Sequence, residues 1–131
     1  MKKFILSFVV VATIGLTFIP ISTNAEEIGG WSEEDGNYLN PHVILPRAAV
    51  NHRGKRENTV ISGNTAYRAH GWTTWKGVYH YTTARMEKHR GGTVLTTSNR
   101  KYGWNGTEAA SPWYRISNGE DTAAARTYYG R

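Results

Sequence analysis

The chain has 131 residues, and its 16 Lys and Arg residues outnumber the 10 Asp and Glu residues, for a formal net charge of +6. It contains no cysteine, which excludes disulfides, thiol nucleophiles and thiolate metal sites. A chain of this length suits a single domain with one modest core, and that core must hold the fold without covalent cross-links.

The N-terminus has the three parts of a secretory signal peptide. Residues 1–3 carry two lysines, residues 4–21 form an apolar run, and small residues up to Ala25 form a cleavage site. The alternative is a retained membrane anchor, which Pro20 weakens as a helix. We therefore expect a signal peptide over residues 1–25 and a secreted, extracellular protein made of residues 26–131.

Charge is distributed unevenly along this mature chain. Five acids stand in its first ten residues: Glu26, Glu27, Glu33, Glu34 and Asp35. From Arg47 onward, 14 basic residues stand against five acids. A basic body favours anionic partners such as wall polymers, lipid headgroups or nucleic acid. The alternative is that the charge only keeps an exported protein soluble.

The first part of the mature chain predicts little regular structure. Residues 26–46 read as a flexible acidic arm, since glycines and prolines interrupt them and the acids follow no strand or helix period. This arm is also a candidate mask over the basic body. Residues 51–58 read as a basic connector, and Lys55-Arg56 within it is a candidate protease site. We therefore assign residues 26–58 to an arm and a connector.

From Thr59 the composition shifts to Thr, Val, Tyr, Trp and Gly with frequent turn residues, which predicts an all-β domain over residues 59–131. The clearest strand is 77–87, where side-chain character alternates with a period of two. Residues 88–92 predict a hairpin loop with two glycines, and residues 93–97 predict its returning strand.

The remaining elements are shorter. Residues 99–106 read as a turn-rich segment, and residues 108–111 as a short strand stopped by Pro112. The alanines of residues 121–129 also favour a helix, but Thr127, Tyr128 and Tyr129 favour a strand. The predicted fold is a small antiparallel β-sandwich or curled sheet, preceded by a cleaved signal helix and the acidic arm.

Nothing in the sequence predicts an enzyme. The five histidines are scattered without a His-x-x-x-His pair, and no Gly-x-Ser-x-Gly elbow or phosphate-binding glycine loop is present. We therefore expect no catalytic residues, no metal and no cofactor.

Binding is the better-supported class. All five tryptophans lie in the mature chain, and aromatic rings interleaved with Arg and Lys stack on sugars or sit at membrane interfaces. The alternative is that these rings form the core. Trp72 and Trp75 are the strongest exception, because they fall in a predicted glycine-bounded loop. The candidate ligand-binding residues are Trp72, Trp75, Tyr79, Tyr81, Arg85, Arg90 and Lys101.

The mature chain resembles the lactococcin 972 family of secreted bacteriocins. The residues that carry the resemblance are Gly29-Gly30-Trp31, Val78-Tyr79-His80-Tyr81, Ala109-Ala110-Ser111 and Tyr128-Tyr129. The resemblance implies antibacterial action at the outer face of a target cell, by binding envelope components and without catalysis.

Three functions remain open on the sequence. The first is a bacteriocin-like protein that binds an anionic component of the Gram-positive envelope: a wall polymer, a precursor or a lipid headgroup. An immunity protein would then be a further partner, and we expect no specific nucleic acid. The second is a non-toxic, wall-associated or carbohydrate-binding structural protein. The third is a small secreted hydrolase that depends on His80.

Overall fold

A computed structural model of the chain describes residues 26–42, 49–116 and 123–131. All regular structure in these ranges is strand: β1 (Glu27–Ser32), β2 (Gly36–Leu39), β3 (Asn51–Ile61), β4 (Asn64–Lys88), β5 (Val94–Thr97), β6 (Lys101–Ala110), β7 (Tyr114–Arg115) and β8 (Ala123–Gly130). The strands pair antiparallel in one sheet that curls into a half-barrel. The predicted all-β, curled antiparallel fold is therefore confirmed.

The predicted signal peptide, residues 1–25, lies outside the described ranges. Those ranges contain no helix that is long and apolar enough to span a membrane.

β4 is the spine of the sheet, because its 25 residues pair with five other strands. Along one edge its first half pairs with β3 and its last third with β8. Along the other edge it pairs in turn with β7, β6 and β5. β1 extends the sheet from β8, and β2 extends it from β1. β3 and β8 therefore lie along the same edge of β4, although they pair with different parts of it.

A bulge in β4 allows the sheet to curl. Trp75 pairs with Asn105 and Tyr79 pairs with Trp104, so the three residues between Trp75 and Tyr79 have no partner on β6. Such a bulge bends its strand, and Gly77 within it has a φ of 73°. The bend brings β1 and β8 against β3.

The contact between β1 and β3 depends on a missing side chain. A Cβ atom added at Gly54 would lie 2.3 Å from the ring of Trp31 and 2.8 Å from Oγ1 of Thr127. The glycine therefore permits the close approach that closes the half-barrel.

The interior is built from small and polar side chains. Its fully or nearly fully buried alanines are Ala66, Ala69, Ala84, Ala109, Ala123, Ala124 and Ala125. Met86 and Trp75 are the largest apolar side chains that are fully buried. Small side chains let the strands of the curled sheet approach one another closely, so the core is filled by close packing of small residues and contains few large ones.

A chain of hydrogen bonds crosses this interior. The two ring nitrogens of His52 each lie 2.8 Å from a threonine hydroxyl, one on Thr73 and the other on Thr127. Thr73 bonds to Thr82 at 2.7 Å, and Thr82 bonds to Thr107 at 2.6 Å. Burial lowers the pKa of His52 to about 4. These buried polar groups therefore satisfy one another, and the imidazole is neutral near neutral pH.

The structure corrects the predicted arm and connector. Residues 27–39 form β1 and β2, with β1 paired to β8, and residues 51–58 lie in β3. The described parts of 26–58 thus belong to the same sheet as 59–131. β3 resembled a loop in sequence because its solvent-facing side carries exposed charges such as Arg53 and Lys55.

Two further segments also differ from the sequence prediction. Trp72 and Trp75 lie within β4 and not in a loop, and most of the turn-rich segment 99–106 belongs to β6. The hairpin loop before β5 is confirmed, and so is the strand near the C-terminus, over Ala123–Gly130.

Candidate ligand-binding face

Four aromatic side chains meet on the outer face where β4 and β6 pair. The register places Tyr79 opposite Trp104 and Tyr81 opposite Tyr102, and side chains of directly opposed residues lie on the same face. The ring centroids of Tyr79 and Tyr102 are 5.5 Å apart with an interplanar angle of 18°, and those of Tyr79 and Trp104 are 5.6 Å apart. We call these four residues the aromatic strip.

Three rings of the strip are open to solvent. Trp104 is 63% exposed, Tyr79 50% and Tyr102 45%. Tyr81 is only 2% exposed and lies at the base of the strip, with its ring centroid 5.5 Å from that of Tyr102. Neighbouring exposed rings on a rigid sheet are the kind of apolar patch that marks an interaction site.

One arginine, Arg100, borders the strip, and a second, Arg85, lies further along the same face of β4. The guanidinium carbon of Arg100 lies 4.7 Å from the ring centroid of Tyr81, and that of Arg85 lies 5.2 Å from the ring of Tyr128. No carboxylate of the described residues is within salt-bridge distance of either arginine. Burial raises the pKa of Tyr81, and Arg100 opposes this only in part. The tyrosine is therefore neutral at neutral pH, and the local charge is that of the arginines.

The acids of the N-terminal strands pair elsewhere. Glu33 lies 3.0 Å from Arg56, and Glu34 contacts both His89 and Arg126. Burial acts to raise the pKa of Glu34, but hydrogen bonds from His89 and Arg126 hold it below its usual value. Glu33 and Glu34 therefore neutralise Arg56 and Arg126, and they form no ion pair with Arg85 or Arg100. Masking of the basic body before cleavage stays a prediction.

Whereas the strip follows the bulge in β4, a polar groove lies on the part of β4 that precedes the bulge. It has a volume of about 450 Å³ and is lined by Asn51, Arg53, Trp72, Thr73, Thr74, Gly106, Thr107 and Glu108. The ring of Trp72 stacks on that of His70, with their centroids 3.9 Å apart. The guanidinium carbon of Arg53 lies 4.7 Å from the centroid of the Trp72 ring. His70 is fixed in turn by Glu57 at 2.7 Å and Glu108 at 2.5 Å. The groove therefore offers hydroxyl, amide, carboxylate and guanidinium groups around one indole edge.

A second depression, of about 590 Å³, lies beside β2 and the start of β3. None of its lining residues is Lys or Arg; they include Tyr38, Leu39, Val50 and Tyr129. It is therefore less suited to an anionic ligand than the outer face of β4 and β6.

The structure brings some of the predicted binding residues together and separates others. Tyr79, Tyr81 and Arg85 share one face of β4 after the bulge, and Trp72 borders the groove on the part of β4 before it. Arg90 lies beyond the end of β4, in the turn before β5. Lys101 is exposed, but it pairs with buried Thr82 and points away from the strip.

Two of the predicted side chains are not accessible to a ligand. Trp75 is fully buried against Ile28 and Tyr129, and Tyr81 is covered by its neighbours. Arg100, Tyr102 and Trp104 were not among the predicted binding residues. The alternation of Arg100, Tyr102 and Trp104 with Lys101, Gly103 and Asn105 is a period of two that could have identified this face.

Groups with catalytic chemistry are sparse in the described ranges. His80 is fully buried, and its ring nitrogens face the backbone carbonyls of Val78 and Thr73. No three His, Asp or Glu residues of those ranges are placed to hold a metal ion.

Comparison with known proteins adds no relative: no family model, no curated protein and no solved structure matches this chain.

Proposed function

We propose that this is a secreted, bacteriocin-like antibacterial protein that binds an anionic component of the Gram-positive cell envelope. The observation that carries the proposal is the aromatic strip, with three exposed rings and with Arg100 over the ring of Tyr81 at its base. Rings supply stacking surface at low entropic cost, and an arginine that forms no ion pair with the described residues supplies attraction to an anionic polymer. The signal-like N-terminus and the basic mature chain support action outside the cell.

The strip also favours a second candidate, a non-toxic wall-associated protein that binds carbohydrate. Both candidates use the same surface, and they differ in what binding does to the cell. A neighbouring gene for a membrane-spanning immunity protein would favour the first.

Wall binding tests the shared part of the proposal. Purified residues 26–131 should sediment with Gram-positive cell walls. Replacing Arg100 with Gln should weaken wall binding more at low salt than at high salt, because salt screens the attraction between exposed charges. We expect a loss of about fivefold in affinity, the effect of about one kcal/mol.

Lys88→Gln is the matched control, since Lys88 is exposed at the end of β4 and alternation places its side chain on the face opposite Tyr81 and Arg85. If both variants bind equally well, or if removal of the anionic wall polymers leaves binding unchanged, the assignment of an anionic target to this face is wrong.

A further inference from the structure

The hydroxyl of Thr83 is buried without a hydrogen-bond partner. Thr83 is 1% exposed, and its Oγ1 atom bonds to no donor or acceptor of the described residues. The Nε atom of Arg85, two residues further along the same face of β4, is also buried and unpartnered. Buried polar atoms are nearly always hydrogen-bonded, so two unpartnered donors on one face need a physical explanation.

The sheet is interrupted beside Thr83. Along this edge, β6 pairs with β4 up to Thr82 and β5 pairs with it from Arg85, so Thr83 has a partner on neither strand. Residues 98–100 connect β5 to β6, and Asn99 among them has a φ of 58°. The ladder of paired strands therefore has a gap next to the Thr83 hydroxyl.

Two arginines flank this gap. The guanidinium carbon of Arg100 lies 4.7 Å from the ring centroid of Tyr81, and that of Arg85 lies 5.2 Å from the ring of Tyr128, which pairs with Thr83. Burial raises the pKa of Tyr81, and the charges of Arg100 and Arg85 both act against this, so both lie within electrostatic reach of its hydroxyl. Neither arginine forms an ion pair with a carboxylate of the described residues.

The acids near this gap are engaged with other groups. Glu87 accepts a hydrogen bond from the hydroxyl of Tyr128 and lies 3.8 Å from Arg126. Glu27 accepts a hydrogen bond of 2.9 Å from the hydroxyl of Tyr38. The two arginines beside the gap are therefore left to attract an anion from outside the chain.

The donors around the gap select the chemistry of that anion. Arg85 and Arg100 can only donate hydrogen bonds, and the unpartnered hydroxyl of Thr83 is able to donate. A carboxylate accepts in one plane and matches a single guanidinium fork, whereas the oxygens of a phosphate lie at the corners of a tetrahedron. Donors that come from β4 and from a neighbouring turn therefore favour phosphate. Cation–π contacts at solvent-exposed positions are weak, so both guanidinium groups can leave their rings to bind it.

We infer that Thr83, Arg85 and Arg100 form a binding site for a phosphate group. This inference rests on the proposed function, because it names the anionic group that the same face recognises in the envelope. A wall polymer carries such a group as a phosphodiester, and an anionic lipid carries it in the headgroup. On binding, the two guanidinium groups turn towards the phosphate, and the Thr83 hydroxyl donates a hydrogen bond to one of its oxygens.

Calorimetric titration with an oligomer of glycerol phosphate tests the inference, with an oligogalacturonate of equal charge as the carboxylate comparison. The phosphate oligomer should bind about tenfold more tightly than the oligogalacturonate. Vesicles that contain phosphatidylglycerol form a second arm, and the tighter of the two phosphate probes identifies the source as polymer or lipid. For that probe, Thr83→Val and Arg85→Gln should each weaken binding by about tenfold, the loss of one hydrogen bond to a charged group.

Stability separates this role of Thr83 from a structural one. Valine keeps the branched shape and removes a hydroxyl that has no partner, so Thr83→Val should raise the urea midpoint of unfolding slightly. Thr96→Val is the matched control, because Oγ1 of Thr96 is also buried and unpartnered. Its pairing with Met86 places Thr96 on the opposite face of the sheet. The control should show the same change in stability and unaltered phosphate binding.

The inference is overturned if Thr83→Val and Arg85→Gln bind the phosphate probes as tightly as the wild-type protein and Thr96→Val do. Equal affinity for the oligogalacturonate and the glycerol phosphate oligomer would also overturn it. If neither phosphate probe binds while intact walls still do, the inference is wrong and the proposed function stands without it. Loss of wall binding as well would overturn both proposals.

Discussion

Gly54→Ala should destabilise the protein by about 3 kcal/mol or more, because the core at this position has no room for a methyl group. The added Cβ would lie 2.3 Å and 2.5 Å from two ring atoms of Trp31. Those atoms belong to a packed indole and not to the flexible end of a side chain. Relief requires β1 to move away from β3, which opens the half-barrel. Urea unfolding followed by tryptophan fluorescence measures the loss.

Gly106→Ala is the matched control. It is also a strand glycine without positive φ, but its added Cβ meets nothing within 4 Å. We expect a change within about 0.5 kcal/mol, as for other surface substitutions. Equal stabilities for the two variants would mean that β1 does not pack on β3 as described.

Acidification should destabilise the protein between about pH 6.5 and pH 4 through His52. Burial lowers the pKa of this imidazole from 6.5 to about 4 in the folded protein, so the unfolded chain binds the proton more readily in that interval. Stability is therefore full above the unfolded pKa and falls as pH decreases towards the folded pKa. The loss should reach about 2–3 kcal/mol near pH 4.5.

His52→Gln separates this effect from other titrations. Glutamine keeps a donor and an acceptor for Thr73 and Thr127 but does not titrate, so its unfolding free energy should fall less over the same interval. Glu34 and Glu57, whose pKa values are lowered, lose their contribution only at more acidic pH. An NMR titration of His52 needs no variant, and a pKa near 6.5 would refute the buried network.

Sequence reasoning succeeded where local signals decide the structure. Two adjacent glycines identify the turn between β4 and β5, and Tyr128 and Tyr129 outweigh the preceding alanines in β8. It failed for β1 and β3, whose charges and glycines resemble loops. β1 pairs with β8 at the far end of the chain, and so distant a partner gives no signal within a short window of sequence. β3 pairs locally, in a hairpin with β4 around Ser62 and Gly63, and was missed because its exposed charges resemble a loop.

The candidate site shows the same division. Tyr79 was predicted to contact ligand and is exposed, Arg85 is half-buried on the same face, and Trp75 is fully buried. Trp72 and Trp75 are an odd number of residues apart, so a strand places them on opposite faces. Predicting a loop removed that constraint. Trp104 was not predicted as a binding residue, because residues 99–106 were predicted to be turns and the alternation of a strand was not applied to them.

The most direct test of the proposed function is a growth-inhibition assay on lawns of Gram-positive strains, with purified residues 26–131 beside the Trp104→Ala variant. The account predicts a clear zone from the wild-type protein on at least one strain and a smaller zone, or none, from the variant. A protein that binds walls but gives no zone on any strain would contradict an antibacterial role and favour the wall-associated alternative. Equal zones from both proteins would show that killing does not depend on the aromatic strip.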